Sequence, residues 1–128
     1  MTTLTTNGIK ISVRTVYQPE HSAPHRQQYI HAYQITIENL SNTTVQLLRR
    51  HWIILDSNGT KREVEGEGVR GEQPILTPGQ THRYHSWSPL LTDIGKMYGT
   101  FLMARQVDNR QFRVRIPEFK LIAPFKMN

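Results

Sequence analysis

The sequence is 128 residues long, with 37% hydrophobic residues, a formal net charge of +6 and no cysteine. That length suits one domain, residues 1–128, and the lack of cysteine excludes disulfides, thiolate metal ligands and a cysteine nucleophile. No apolar run approaches the roughly 20 residues that span a bilayer, and the first residues lack the features of a signal peptide. We therefore expect a cytoplasmic protein without a membrane span.

The hydrophobic residues recur mainly with a period of two, which is typical of half-buried strands. In chain order, the clear runs lie in residues 9–13, 29–37, 97–103 and 112–116. The segment VQLLRRHWIILD (45–56) breaks the pattern, because apolar residues occur in both registers. We expect either a bulge there or a strand that is buried on both faces.

Turn sequences separate these runs: NLSNTT (39–44), DSNGT (56–60), TPGQ (77–80) and VDNR (107–110). Asn-Gly and Pro-Gly provide the backbone angles that tight turns need. No segment has the period and caps of an amphipathic helix. The sequence therefore predicts an all-β chain, and its many short strands favour a two-sheet β-sandwich of immunoglobulin or fibronectin type III kind over a barrel.

A glycine-rich segment, GEGVRG at 66–71, matches the G-x-G-x-x-G pattern of dinucleotide-binding proteins. In those proteins the glycines lead into a helix whose N-terminus binds pyrophosphate. Here two prolines follow, so that fold is excluded. Two interpretations stay open. We favour a structural one, in which Gly66, Gly68 and Gly71 adopt backbone conformations closed to other residues; in the other, their amides bind an anion and Arg70 adds charge.

Three polar residues, Arg49, Arg50 and His51, interrupt the apolar strand at 45–56. Charges in such a strand need either a partner or a surface, so these residues are second candidates for binding a ligand. The structural alternatives are a buried salt bridge, or a bulge that turns the side chains to solvent.

Catalytic groups are not evident in the sequence, and we expect no enzyme activity. Ser86 beside His85 is the nearest approach to a nucleophile with a base, but neighbours on a strand face apart. His82 and His85 also point to opposite faces, and His21 and His25 lie in a loop. We therefore predict no metal site and no cofactor.

Acidic and basic residues each form one cluster. Glu63, Glu65, Glu67 and Glu72 carry oxygen ligands suited to magnesium, although a solvated strand edge is the simpler interpretation. Arginines 105, 110, 113 and 115 surround one predicted hairpin. Because stacking aromatics are not interleaved with them, we expect only non-specific, salt-sensitive binding of nucleic acid.

Five segments in order, VYQPEHSAP (16–24), YQITIENLS (33–41), VQLLRRHWIILDSNG (45–59), EVEGEGVRGEQPILTPG (63–79) and IPEFKL (116–121), resemble the ApaG family over nearly the whole chain. The resemblance implies a fibronectin type III-like sandwich and maps a proposed pyrophosphate-binding motif onto Gly66, Gly68 and Gly71. It also implies an association with cobalt and magnesium resistance. Related domains in eukaryotic F-box and polymerase-delta-interacting proteins imply a protein-interaction role.

The residues and the resemblance together predict a non-enzymatic binding or interaction module. Its ligand would be a phosphate-bearing molecule, recognised through the glycine-rich loop, or a protein partner. The alternative is an accessory protein in cobalt and magnesium homeostasis. Free edge strands could also pair between copies of the chain. Trp87 stands where the resemblance leads us to expect a small residue. An exposed indole there would mark a contact surface, but we favour an indole that fills a corner of the core.

Overall fold

The structure is a computed structural model that describes residues 1–124. Nine strands run through this part of the chain: β1 (Thr2–Thr6), β2 (Ile9–Tyr17), β3 (Tyr29–Asn39), β4 (Val45–Asp56), β5 (Lys61–Glu67), β6 (Ile75–Leu76), β7 (Thr81–Leu90), β8 (Ile94–Arg105) and β9 (Gln111–Ile122). Two 3-10 turns lie between β2 and β3, at Pro19–His21 and Pro24–Arg26. The all-β prediction is confirmed.

The strands form two antiparallel sheets that pack face to face. One sheet has the order β1-β2-β3-β7, and the other has the order β5-β4-β8-β9, with β6 paired to the start of β4. Strand β1 packs against β9 on one side of the sandwich, where the Arg115 amide donates to Thr6 Oγ1 at 3.3 Å. On the other side the edges β7 and β5 face each other. The predicted two-sheet sandwich is therefore confirmed, and it has one closed side and one open side.

The core lies between the sheets and is built from the alternate residues that the period-two pattern predicts. Trp52 stands at its centre, with its ring edge-on to Tyr33 at 5.5 Å, Phe119 at 5.9 Å and Phe101 at 6.4 Å between centroids. Edge-to-face aromatic pairs add stability beyond the area they bury. This cluster ties β4 to strands of both sheets.

A bulge interrupts β4, as the mixed pattern of this segment predicted. The register between β4 and β8 shifts between Leu47 and Arg49. Before the bulge the buried residues are Val45 and Leu47; after it they are Trp52 and Ile54. The inward positions of the strand thus change from odd to even numbers.

Trp87 is not in the core, so that prediction was wrong. Its side chain is 48% exposed. Strand β7 buries Tyr84, Ser88 and Leu90, which fixes its even positions inward and sends position 87 to the outer face. There the indole packs edge-on against His21, with 4.8 Å between ring centroids.

The buried His31 gives the fold a pH dependence. It is 1% exposed, and burial lowers its pKa from the ordinary 6.5 to about 4. Between these values the unfolded chain binds a proton that the folded chain excludes, so stability falls as pH falls. We expect His31→Gln to remove about 2 to 3 kcal/mol of the stability loss between pH 7.5 and 4.5, measured by urea unfolding. The exposed His85→Gln should keep the full loss, and an unchanged loss in His31→Gln would contradict this account.

The aromatic cluster predicts which truncation is costly. Phe101 is fully buried, whereas Val107 is 80% exposed in the turn that follows the same strand. We expect Phe101→Ala to lower the free energy of unfolding by about 3 to 5 kcal/mol, because it removes contacts and leaves a cavity beside Trp52. Val107→Ala should change it by less than about 0.5 kcal/mol. Denaturant unfolding measures both, and equal losses would be inconsistent with this core.

Candidate functional site

A cleft of about 210 Å³ opens between the sheets on the side where β7 faces β5. A larger depression, about 320 Å³, lies near the turn that joins β8 to β9. There Arg105 already pairs with Asp108, which lowers the pKa of that carboxyl. The cleft between the sheets offers the more distinctive chemistry, because its arginines have no such partner.

The first wall of the cleft is the inner face of β7. Ser86 and Ser88 point inward there, opposite Tyr33 and His31 of β3. Ser88 is 2% exposed, and its hydroxyl has no hydrogen-bond partner within residues 1–124. Buried polar atoms are almost always paired, so the floor of the cleft suits a water molecule or a polar ligand atom.

The second wall carries two arginines on the inner faces of β4 and β5. Arg50 Nη1 donates to the carbonyl oxygens of Glu67 at 3.0 Å and Gly68 at 3.1 Å. Arg62 Nη2 donates to the carbonyl oxygen of Pro89 on β7, and its Nε has no partner among the described residues. Neither guanidinium forms an ion pair with a carboxylate in the described chain.

This arrangement leaves two cations beside an apolar core without a counter-charge. A partly buried charge is costly unless it is paired with an opposite charge. Carbonyl groups satisfy some guanidinium donors but leave the full positive charge in place. An anion in the cleft would complete the site electrostatically.

Gly66 lies directly beside Arg50. It lies within β5 as the strand partner of Arg50, and a Cβ atom there would stand 2.8 Å from Arg50 Nη1. Its φ angle is not in the left-handed region, so the expectation that Gly66 adopts a conformation closed to other residues was wrong. Gly66 lets the guanidinium lie across the strand, and a side chain at this position would displace it.

The other two glycines shape a tight turn. The Val69 amide donates to the Glu72 carbonyl at 2.8 Å, and the Glu72 amide donates to the Val69 carbonyl at 3.0 Å. Between them, Arg70 and Gly71 have φ angles of 51° and 79°. Positive φ at both central positions defines a type I′ hairpin turn. Gly68 has φ of 60°, and a Cβ there would lie 2.1 Å from the Glu72 carbonyl oxygen. The structural interpretation accounts for both glycines.

The loop amides are largely occupied within the fold. The amide of Gly68 donates to the Leu48 carbonyl at 2.8 Å, and the amides of Val69 and Glu72 bond to each other's carbonyls. Three donors that a concave anion nest would use therefore already have acceptors. The charge that the loop offers to a ligand is the side chain of Arg70.

Arg50 and Arg70 both act on the hydroxyl of Tyr33 in the cleft. Burial raises the pKa of Tyr33, while a hydrogen bond with Ser86 and the positive charges of Arg50 and Arg70 lower it. The glycine turn thus holds Arg70 on the same side of the sandwich as Arg50. Of the residues singled out from the sequence, the structure brings these two together.

Arg49 and His51 lie elsewhere, on the outer face of the second sheet. They line a shallow groove of about 240 Å³ with Thr100 and Arg113. His51 Nε2 stands 3.1 Å from a carboxylate oxygen of Glu63, a contact that lowers the pKa of Glu63. Strand alternation separates Arg50 from Arg49 and His51, and the bulge that precedes them decides which face is inward. Arg50 also borders the outer groove.

The candidate metal ligands are dispersed. Glu63 also lies 3.6 Å from Lys61, and Glu72 lies 3.9 Å from His82. Within residues 1–124, no group of three or more His, Asp or Glu side chains could hold a metal ion. No helix in that part of the chain is long and apolar enough to cross a membrane.

Sequence reasoning missed three cleft residues, Tyr33, Arg62 and Ser88, and it considered Ser86 only as a nucleophile. A signal for them exists in the alternation. Arg62 lies on the same face of β5 as Gly66, and Ser86 and Ser88 lie on the same face of β7 as Leu90. The proximity of β5 and β7 across the gap between the sheets is not encoded in that alternation.

Comparisons with known proteins agree on one family. Residues 19–105 match the model of the ApaG domain. The chain is similar to Protein ApaG of Acidithiobacillus ferrooxidans, with 50% identity over 90% of each chain, and to Protein ApaG of Nitrosomonas europaea, with 46% identity over 91% of each. It is also similar to the crystal structure of the protein assigned as ApaA in Bordetella pertussis, with 43% identity, a TM-score of 0.87 and coverage of 91% and 94%.

Two glycines of the loop make a matched test of their structural role. Both have positive φ, but only Gly68 lacks room for a Cβ. We expect Gly71→Ala to lower the free energy of unfolding by about 1 kcal/mol, the cost of left-handed backbone. Gly68→Ala should cost about 1 to 3 kcal/mol more, because the methyl group meets the Glu72 carbonyl. Denaturant unfolding compares them, and a smaller loss for Gly68→Ala would count against this geometry.

Proposed function

The chain belongs to the ApaG domain family, and from that premise we propose that it is a non-enzymatic binding module that recognises a phosphate-bearing ligand in the cleft between its sheets. The carrying observation is the pair Arg50 and Arg62, whose guanidinium groups face the cleft without a carboxylate partner in the described chain.

A phosphate suits these groups because a guanidinium is a planar fork of donors that can bond two phosphate oxygens at once. Arg50 uses only Nη1 for its two backbone carbonyls. Its Nη2 and Nε make no hydrogen bond within residues 1–124 and remain to meet an anion. The unpaired Ser88 hydroxyl offers one more donor on the floor.

The glycine loop supports the site indirectly in this proposal. Gly66 makes room for Arg50, and the turn through Gly68 and Gly71 positions Arg70, whose charge acts on the Tyr33 hydroxyl in the cleft. The loop therefore contributes through the two arginines rather than through its amides. An anion between the sheets would interact strongly with them, because the surrounding core lowers the effective dielectric constant.

We propose no reaction for this cleft. Ser88 and His31 are strand partners and are both buried, yet neither Ser88 Oγ nor His31 Nε2 has a hydrogen-bond partner in the described residues. A nucleophile needs a base within hydrogen-bonding reach. Their arrangement supports binding rather than nucleophilic catalysis.

The proposal predicts a saturable pyrophosphate site. In an amide NMR titration, we expect shifts of the amides in the loop 66–72 and of Ser86 and Ser88. Arg62→Gln and Arg70→Gln should each weaken binding by about tenfold, the loss of one charge-assisted contact. Arg26→Gln, an exposed arginine in the second 3-10 turn, should leave the affinity unchanged.

Two results would oppose the proposal. If millimolar pyrophosphate caused no shifts, the proposal would fail. If Arg26→Gln weakened pyrophosphate binding as much as the cleft variants, the binding would be general charge attraction. Cobalt added in the same experiment tests the role in cation homeostasis that the family resemblance implies. Line broadening centred on Glu63 and Glu65 would support that role instead.

A further inference from the structure

Strand β7 has a free edge beside the cleft. Within the described chain it pairs with β3 alone. In an antiparallel strand, alternate residues direct both backbone groups to the same side. The Pro89 carbonyl accepts from Arg62 across the gap, so it points away from β3. The backbone N–H and C=O groups of Trp87, His85 and Arg83 must point the same way.

The hydrogen bonds of β3 show independently which residues of β7 direct their backbone groups towards β3. The amide of Asn39 donates to the Gln80 carbonyl on the β7 side, whereas the amide of Leu40 donates to Gly8 on the β2 side. Odd positions of β3 therefore bond to β7, where their partners are the even residues. Within residues 1–124, the outward backbone groups of Arg83, His85 and Trp87 therefore have no hydrogen-bond partner.

The free edge has defined ends. Arg62 reaches Pro89 at one end, and Glu72 of the glycine turn lies 3.9 Å from His82 at the other. Between them run Arg83–Trp87, five residues that span roughly 17 Å. This is the length of an ordinary short strand, so the gap could accept an extended peptide but not a long sheet.

The side chains around the free edge of β7 favour a negatively charged peptide. A strand added to β7 would send alternate side chains into the cleft, towards Arg50 and Arg62, and alternate side chains outward beside Arg83 and His85. Both faces carry basic side chains. The facing strand β5 carries Glu63, Glu65 and Glu67 instead. The arrangement favours an acidic peptide on β7 over one on β5.

We propose that the free edge of β7 binds an extended, phosphorylated peptide of a partner protein, whose phosphate enters the cleft between the sheets. This inference rests on the proposed phosphate recognition and names the class of ligand that carries the phosphate. Backbone hydrogen bonds to the strand edge supply affinity, and the cleft supplies selectivity for the phosphorylated side chain. The half-exposed Trp87 lies beside the peptide on the outer face.

A second copy of the chain fits this edge less well. Two β7 edges paired with each other would bring Arg83 and His85 of one copy beside those of the other. Like charges on neighbouring strands are unfavourable. A phosphorylated partner instead brings negative charge to both arginines of the cleft.

The first test uses a capped seven-residue peptide of alternating valine and threonine with a central phosphoserine. We expect it to bind at least tenfold more tightly than pyrophosphate. It should also slow amide exchange at Arg83, His85 and Trp87 by at least tenfold. The same peptide with unmodified serine should bind at least tenfold more weakly.

Backbone pairing is tested with two N-methylated versions of the phosphopeptide, each methylated at one set of alternate positions. Only one set can face β7, so one version should lose at least tenfold in affinity and the other should not. Equal affinities, or no protection of the three β7 amides, would overturn the proposal. If pyrophosphate still shifted the loop amides in that case, the proposed phosphate recognition would survive; if it did not, both would fail.

A protein variant provides the reciprocal test. His85→Pro removes one outward N–H, which proline tolerates on a free edge, while His85→Ala removes only the side chain. We expect the proline variant to bind the peptide at least tenfold more weakly than the alanine variant, with equal affinity for pyrophosphate. Equal peptide affinities in a folded proline variant would contradict the proposal. Protection of the β7 amides that rises with protein concentration alone would assign the edge to a second copy.

Discussion

The bulge between Leu47 and Arg49 is the feature on which the candidate site depends. A regular strand would continue the inward register of Val45 and Leu47, so Arg49 and His51 would enter the core. The extra residue shifts that register by one position. Trp52 then packs among aromatic rings of both sheets, and the energy of that packing holds the shift in place. Arg50 becomes the inward residue at the end of the apolar row.

This single shift explains the glycine-rich segment. With Arg50 turned inward, its guanidinium lies across Gly66 and bonds the carbonyls of Glu67 and Gly68. Gly66 provides space, whereas Gly68 and Gly71 provide left-handed backbone for the turn. The three glycines therefore answer two different physical needs. Their match to a dinucleotide-binding pattern arises without the helix that gives the pattern its function.

The period-two pattern predicted the sandwich and the irregularity in β4, since both follow from residues close together in the chain. The cleft was not predictable in the same way, because its walls come from β3, β4, β5 and β7. The burial of Trp87 was predicted wrongly for a related reason. The size of an indole favours burial on average. In β7, however, Tyr84 and Leu90 are buried together on one face, so Trp87 lies on the other face.

Arg50 and Arg62 argue most directly for a binding role when they are compared with their neighbours in the same inward rows. Trp52 and Ile54 of β4 and Val64 of β5 are apolar, as the scaffold requires. The hydrogen bonds from Arg50 to the loop carbonyls give it a structural role, but they leave its charge unbalanced. The Ser88 hydroxyl, which has no hydrogen-bond partner within residues 1–124, faces the same space. In the proposed function, these charges and this polar floor would contact the ligand.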